Sequence, residues 1–167
     1  MCIRDRYESR VQAIIQNIKE NGDEALFSYT KQFDKADINA SNVKVTDEEF
    51  EEAYKAVDPA LLDVIRKALV NIESYHELQK QNSWFKSTPQ GTMLGQKVTP
   101  LEKVGVYVPG GKAVYPSSVL MNIMPAKVAG VDKIIMTTPC NAEGKVNPAV
   151  LVAAKEAGAD EVYKAGG

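Results

Sequence analysis

The part of the sequence that decides the fold is residues 104–122, VGVYVPGGKAVYPSSVLMN. Residues 104–108 are a short apolar run rich in valine, which predicts a buried strand, and residues 109–111 supply a Pro-Gly-Gly turn. A helix is predicted to follow the turn, capped by Ser117 or Ser118. Its apolar residues are Val119, Leu120, Ile123, Met124 and Val128. Strand, turn and helix in this order indicate an α/β unit.

Further strands and helices follow this unit at short intervals. The first helix is predicted to stop at Gly130, and residues 133–138 (KIIMTT) read as a second strand. Pro148 opens a second helix that ends near Gly158, and residues 161–164 form a third strand. Short links between alternating strands and helices imply right-handed crossovers and a parallel sheet. The sequence therefore predicts half of a Rossmann-like layer.

The C-terminal residues run from the third strand into a glycine turn, Ala165-Gly166-Gly167. A parallel sheet continues from such a turn into a helix and a further strand, so a fold is not expected to finish there. We therefore expect a fragment, truncated at the C-terminus, rather than a naturally frayed end. The predicted fold class is α/β, with an N-terminal helical arm in front of an incomplete Rossmann-like parallel sheet.

The helical arm is predicted from apolar residues that recur at helical spacing in four segments of residues 7–81. The first segment ends at Gly22, directly before the second. Thr46 and Glu49 have the spacing of a capping box ahead of the third segment, and Asp58, followed by proline, caps the fourth. Four such helices are too elongated for a bundle of their own. We expect them to pack on a partner domain or subunit.

Two stretches flank or follow the arm. Residues 82–103 contain short extended runs separated by glycines, which indicates a hairpin-like connection, and Pro100 is expected to lie outside a central strand. Residues 1–6 have no apolar core of a secretory signal and do not continue the helical pattern, so we expect a non-native leader. The predicted divisions are a leader (1–6), the arm (7–81), the connection (82–103) and the first part of a Rossmann-like domain (104–167).

Composition excludes several classes of function. The 167 residues carry 20 Lys and Arg against 22 Asp and Glu, a net charge of −2, which argues against a nucleic-acid binder and a polybasic membrane-surface protein. The two cysteines, Cys2 and Cys140, have neither disulfide-framework nor metal-site spacing. This cysteine usage suits the reducing cytoplasm, where we expect the protein to reside.

Candidate binding residues follow from the rule that ligands bind beyond the carboxyl ends of parallel strands, which selects residues 107–118. Glycines 110 and 111 let the backbone approach a ligand, and the next helix N-terminus suits a phosphate. The Walker A pattern fails because Gly111 stands where lysine is needed, and the G-x-G-x-x-G pattern fails because Gly110 and Gly111 are adjacent. The turn is either a plain tight turn or a variant cofactor loop.

Two individual side chains are open to two interpretations. Tyr107, at the end of the first strand, either completes the sheet as a half-buried aromatic or contacts a cofactor through its ring or hydroxyl. His76, the only histidine, lies on an apolar helix face, which favours a core residue over a metal ligand. With one histidine and two distant cysteines, the sequence shows no zinc site of three or four ligands and no catalytic triad. The acidic run at residues 47–52 is interpreted as a solvated helix start.

Residues 104–122, together with residues 125–131 (PAKVAGV), closely resemble the hallmark stretch of the histidinol dehydrogenase family. Other parts that fit the resemblance are residues 22–26, 29–30, 33–34, 71–72, His76, Gln79, 95–96 and 162–167. The resemblance runs from about residue 7 to the last residue. Residues 1–6 do not fit it, and Cys140 replaces a proline common in the family.

The resemblance implies an aldehyde-dehydrogenase-like architecture and the NAD-dependent oxidation of L-histidinol to L-histidine through an aldehyde, with one zinc ion. It implies that the Glu-His pair for acid/base chemistry and the zinc ligands lie beyond Gly167, so this chain contains no catalytic and no metal-binding residue. It selects Tyr107 as the one cofactor contact within the chain, and a glutamine after Gly167 as the next. The family is a homodimer of intertwined subunits acting on a small molecule, with no nucleic-acid or membrane partner.

Three functional hypotheses remain at this point. The first is an N-terminal fragment of histidinol dehydrogenase, inactive as it stands. The second is a related aldehyde-dehydrogenase-like NAD enzyme acting on another alcohol or aldehyde, which a nucleophilic cysteine downstream would favour. The third is a non-catalytic interaction module, which would bind a partner without any nucleotide.

Overall fold

In the computed structural model, the described residues are 3–110 and 114–166, with residues 3–6 described by their backbone alone. The helices and strands are, in chain order, α1 (Ile3–Phe33), α2 (Asp47–Ala56), α3 (Pro59–Glu77), β1 (Trp84–Ser87), β2 (Met93–Gln96), β3 (Lys103–Tyr107), α4 (Pro116–Ala129), β4 (Lys133–Thr138), α5 (Pro148–Ala157) and β5 (Glu161–Lys164). No helix among these described residues has the length and apolar character needed to cross a membrane.

A parallel sheet with the strand order β3-β4-β5 forms the centre of the molecule, as predicted. Val106 lies opposite Met136, which in turn lies opposite Val162. Met136 and Val162 are fully buried, and alternate residues along β4 and β5 face the helices α4 and α5, which pack on each other. Because both crossover helices pack on this one side, the sheet has a helix-covered face and an open face.

The start of α4 differs from the sequence prediction. The N-cap is Tyr115, and Pro116 occupies the first helical position, so the predicted caps Ser117 and Ser118 lie inside the helix. Proline lacks the N–H that a cap would satisfy and has the φ that a first helical turn needs, so the helix begins earlier. Its end is as predicted, because Gly130 adopts the left-handed conformation with φ 86°.

Helices α2 and α3 find their packing partners within the chain. Helix α2 packs on α5, and α3 packs on both α4 and α5. The capping box of Thr46 and Glu49 and the Asp58 cap are both formed, as predicted. The expectation that the arm packs on a partner domain is therefore confirmed for α2 and α3, whose buried residues join the same core as the sheet.

One carboxylate joins α2, α3 and α5. Glu156 accepts a hydrogen bond from the Tyr54 hydroxyl at 2.7 Å, and the Arg66 Nε and Nη2 atoms donate to it at 2.8 and 3.0 Å. The hydrogen bond from Arg66 is the largest cause of the lowered pKa of Glu156, while burial and Glu156 raise the pKa of Tyr54 to about 12. The bidentate contact of Arg66 fixes α3 on the α/β unit, and the Tyr54 hydrogen bond fixes α2 on the same carboxylate.

Helix α1 bends at Gly22, where φ is 56° and ψ is −133°. This combination is almost exclusive to glycine, so the predicted helix end at this residue is confirmed as a bend between two helical halves. Across the bend, the Asn17 side-chain amide donates a hydrogen bond to the Tyr29 hydroxyl at 2.9 Å. The helix already includes residues 3–6, so the expectation that they stand outside the helical pattern is wrong.

The segment between α1 and α2 closes one edge of the sheet. The Val45 N–H donates to the Val162 carbonyl at 2.9 Å, and the Lys164 N–H donates to the Val43 carbonyl at 2.8 Å, so residues 43–45 run antiparallel beside β5. The preceding residues 34–42 are mostly polar, yet Ala36 and Ile38 among them are buried. Two apolar residues in a polar run have no periodicity that would have revealed their burial.

Glu161 is expected to make this edge sensitive to acid. Hydrogen bonds from Lys44 and then Lys133 lower the pKa of Glu161 from its usual 4.5 to about 2. A depressed pKa adds stability above the unfolded pKa, and that stability is lost as the pH falls from 4.5 towards 2. The unfolding midpoint should therefore fall more steeply in this range for the wild type than for Glu161→Gln. Equal slopes for the two proteins would contradict the assignment.

The predicted hairpin-like connection is confirmed as the antiparallel pair of β1 and β2, with Phe85 opposite Gly95. Gly95 lies directly under the Phe85 ring, where a Cβ would overlap both the ring and the Trp84 carbonyl. Pro100 lies outside the strands, as expected. Both faces of the hairpin are exposed, including its large apolar residues Trp84, Phe85, Met93 and Leu94.

Candidate functional site at the strand ends

The loops that follow the three parallel strands come together at one edge of the sheet. Gly110 follows β3, Pro139 follows β4 and Gly166 follows β5. A Cβ on Gly110 would lie 2.9 Å from Pro139 Cγ, and a Cβ on Gly166 would lie 2.8 Å from Pro139 Cδ and 2.9 Å from its nitrogen. We call Gly110, Pro139 and Gly166 the glycine–proline stack. Its two glycines allow backbones to approach more closely than residues with side chains permit.

Tyr107 is the last residue of β3 and borders this stack. A Cβ on Gly166 would lie 3.1 Å from Tyr107 Cε2, so the ring lies against the Gly166 backbone. Its neighbours Val106 and Val108 point towards the helices, which places Tyr107 on the open face, where it is 49% exposed. The Tyr107 carbonyl accepts a hydrogen bond from the Asn122 amide at 3.2 Å, which ties the end of β3 to α4.

Beside the stack lies a cavity of about 470 Å³. Its described walls are the strand-end loops (Pro109, Gly110 and 138–141), α2 (Glu49, Glu52, Ala53 and Ala56), Val114 just before α4, and the segment around the start of α5 (Lys145, Val146, Asn147, Pro148, Val150 and Leu151). Lys145 Nζ lies 3.5 Å from Glu52 Oε2 and 3.8 Å from Glu49 Oε1, so the charges on the wall are paired. Tyr107 does not line this cavity. The glycine–proline stack lies between them, because Gly110 and Pro139 line the cavity and Gly166 contacts the Tyr107 ring.

Cys140 also lines the cavity. Its side chain is buried, and burial, followed by the nearby Asp34 carboxylate, raises the pKa of the Cys140 thiol. A raised pKa keeps the sulfur protonated near neutral pH, and the thiolate is the nucleophilic form. The arrangement therefore gives Cys140 a packing role rather than that of a nucleophile.

A buried ion pair lies behind the stack. Lys164 Nζ is 2.7 Å from Glu49 Oε1, and the two side chains are 6% and 14% exposed. The other oxygen of Glu49 accepts the Thr46 N–H at 3.1 Å, while Thr46 Oγ1 accepts the Glu49 N–H at 3.3 Å. The end of β5 is thereby held to the first turn of α2.

The residues predicted from the sequence are found at different places. Tyr107 and Gly110 lie at the strand-end edge, while Gly111 falls outside the described residues. His76 is half-buried on α3 with Nδ1 2.7 Å from Gln79 Oε1, so the expected core position is wrong. Among the residues that the structure describes, no three His, Cys, Asp or Glu side chains come together as a metal site.

Pro139, Gly166 and the Lys164–Glu49 pair are the parts of the site that the sequence did not indicate as such. The glycine turns were recognisable, but the atoms on which they pack come from distant parts of the chain. A lysine at a strand end is usually solvated, and only its position opposite a capping-box glutamate makes it a buried one. Local pattern carries no signal for such contacts.

The parallel sheet, its crossover helices and the close-packed strand ends define an α/β protein with its candidate site at the carboxyl edge of the sheet. A model of the family described as histidinol dehydrogenase matches residues 3–167. The chain belongs to the histidinol dehydrogenase family.

Individual relatives agree with this assignment. The histidinol dehydrogenase of Bacillus subtilis is 56% identical over 157 residues, and that of Heliobacterium mobile is 52% identical over 158 residues. These matches cover 94% and 95% of this chain but only 36% and 37% of the relatives. A crystal structure of histidinol dehydrogenase from Elizabethkingia anophelis matches with a TM-score of 0.88 and 38% identity, over 96% of this chain and 36% of that one. The chain thus spans little more than a third of the length of these relatives.

Proposed function

We propose that this chain is the N-terminal part of an enzyme that oxidises L-histidinol to L-histidine through the aldehyde, with NAD as the oxidant. Family membership supports the reaction. The observation that carries the cofactor assignment is the half-exposed Tyr107 ring at the carboxyl end of β3, against the Gly166 backbone.

The topology supports the same place for NAD. Helices α4 and α5 cover one face of the sheet, and no described strand pairs with the second edge of β3. Open α/β sheets bind ligands at the carboxyl ends of strands where the strand order reverses. A strand added beside β3 would create such a reversal, with its crevice next to Tyr107.

The residues present fit a dinucleotide in two respects. The Tyr107 ring offers an exposed aromatic surface for packing, and Gly110, which packs on Pro139 on one side, leaves exposed backbone at the strand ends. NAD, when bound, supplies the hydride acceptor. The role of Tyr107 is to hold and orient it, and the role of the glycine–proline stack is to let it approach.

The remaining family features are proposed on the resemblance. They are zinc ligands and acid/base residues beyond Gly167, a homodimer, an aldehyde-dehydrogenase-like architecture and a cytoplasmic location. The proposed divisions are a helical arm (7–81), a connection (82–103) and the first part of the NAD-binding domain (104–167).

Turnover of L-histidinol with NAD tests the proposal. A full-length protein that contains this segment should reduce NAD in the presence of L-histidinol, whereas the 167-residue chain alone should not. Turnover by the chain alone would contradict the assignment of the catalytic groups beyond Gly167. A full-length protein that ignores L-histidinol but oxidises another alcohol or aldehyde would favour a related dehydrogenase instead.

A further inference from the structure

We propose that Lys164 and Glu49 are positioning residues for the cofactor site: their buried ion pair fixes the end of β5, so that Gly166 is held against Pro139 and the Tyr107 ring. The inference rests on the proposed function, because it assigns a role within the same NAD site. Lys164 and Glu49 lie on the opposite side of the glycine–proline stack from Tyr107. They touch no reacting atom.

The end of β5 is fixed at Lys164 by backbone and side chain together. The Lys164 N–H donates to the Val43 carbonyl at 2.8 Å, and Lys164 lies opposite Thr138 in the parallel register. Its side chain points to the helix-covered face, where Nζ meets Glu49 at 2.7 Å. The chain then leaves the strand and reaches Gly166 two residues later.

The Lys164–Glu49 pair favours one position of the end of β5, because both side chains are largely shielded from water. An ammonium without its partner is costly to bury, so a displaced β5 would leave the Lys164 ammonium away from the Glu49 carboxylate. Glu49 is itself fixed, because its second oxygen and its N–H both bond to Thr46. The capping box of α2 therefore serves as the fixed point to which the strand end is attached.

Close packing carries this position to the site. Atoms of Pro139 and Tyr107 lie 2.8 to 3.1 Å from where a Cβ of Gly166 would be, so a small displacement of residues 165–166 must move the ring or open a gap. Misplacement of binding groups by a fraction of an ångström to an ångström is enough to weaken binding and catalysis. Loosening the Lys164–Glu49 pair should therefore weaken the binding of NAD and leave the binding of L-histidinol unchanged.

Another ion pair provides a matched control. Arg66 and Glu156 also tie the arm to the α/β unit, with two hydrogen bonds of 2.8 and 3.0 Å, yet neither residue lines the cavity or the strand ends. Arg66→Met and Lys164→Met each remove a cation and keep a long apolar side chain. If the role of Lys164 is purely structural, both variants should lose stability and neither should change the KM for NAD.

The test compares these variants in the full-length protein that contains this segment. We expect Lys164→Met to raise the KM for NAD about fivefold or more, with little change in kcat at saturating NAD or in the KM for L-histidinol, and Lys164→Arg to restore part of the affinity. Arg66→Met should lower the thermal midpoint with an unchanged KM for NAD. An unchanged KM for NAD in Lys164→Met would overturn the proposal. Should Lys164→Met fail to fold, Glu49→Gln, which removes the negative charge of the pair and keeps the size of the side chain, is expected to raise the KM for NAD in the same direction, and no rise in that variant would overturn the proposal as well.

A second readout separates this inference from the proposed function. In cofactor-free protein labelled with fluorotyrosine, the Tyr107 resonance, assigned by its loss in Tyr107→Phe, should shift in Lys164→Met and stay in place in Arg66→Met. If Lys164→Met shifts the Tyr107 resonance but the wild-type protein does not bind NAD, the positioning role is supported and the cofactor assignment is refuted. If the wild-type protein uses NAD but Lys164→Met leaves the Tyr107 resonance in place, the positioning role of Lys164 is refuted and the cofactor assignment stands.

Discussion

Replacing Tyr107 by alanine in the full-length protein is expected to weaken NAD binding about tenfold while leaving the zinc content unchanged. The ring is 49% exposed at the carboxyl end of β3, so it has surface to offer a ligand. Loss of an aromatic packing contact costs about 1 to 1.5 kcal/mol, which corresponds to roughly a factor of ten in affinity. Titration of NAD against intrinsic fluorescence or by calorimetry would measure the change.

Two variants calibrate the Tyr107 result. Tyr107→Phe keeps the ring, so it should bind NAD nearly as well as the wild type if packing is the main contribution, and poorly if the hydroxyl is. Tyr75→Ala removes an exposed tyrosine from α3, away from the strand ends, and should leave the affinity unchanged. Unaltered affinity in Tyr107→Ala would remove the cofactor role of this residue.

Gly166→Ala should harm both stability and cofactor binding. The new Cβ would lie 2.8 Å from Pro139 Cδ, 2.9 Å from Pro139 N and 3.1 Å from Tyr107 Cε2. Because two of these atoms belong to a proline ring and one of them is backbone, the strand-end loops themselves must shift. Overpacking of this kind costs about 1 to 3 kcal/mol. Chemical denaturation would measure the loss, and the KM for NAD should rise in the same variant.

Gly105→Ala is the matched control for this substitution. Gly105 lies in β3 on the open face, and no atom lies within 4 Å of where its Cβ would be. Alanine there should leave stability unchanged or slightly improved, since glycine weakens a strand. If Gly105→Ala and Gly166→Ala behaved alike, close packing at the stack would not explain the loss.

Regular elements were predictable where the sequence has a strong period or a sharp stop. The bounds of β4 and β5 were predicted to the residue, and those of β3 to within one, because short runs rich in apolar residues lie between glycine or proline punctuation. The start of α4 was missed because two serines competed with a proline, and the fixed φ of Pro116 prevailed.

The candidate site was predictable only in outline. Chain order alone places Tyr107 at the carboxyl edge of a parallel sheet. The contacts of Gly110 and Gly166 with Pro139 depend on how three loops from three strands meet, and the Lys164–Glu49 pair joins residues separated by most of the chain. Such long-range contacts leave no trace in local spacing, so only the folded structure reveals them.

Gly22 determines where the leading half of α1 points. No atom lies within 4 Å of where its Cβ would be, so two backbone torsions, and not a steric fit at that residue, set the angle between the two halves. A side chain there would be penalised by conformational strain alone. Substitutions at this position would therefore change the direction of the leading half of α1 and leave the packed core of the α/β unit untouched.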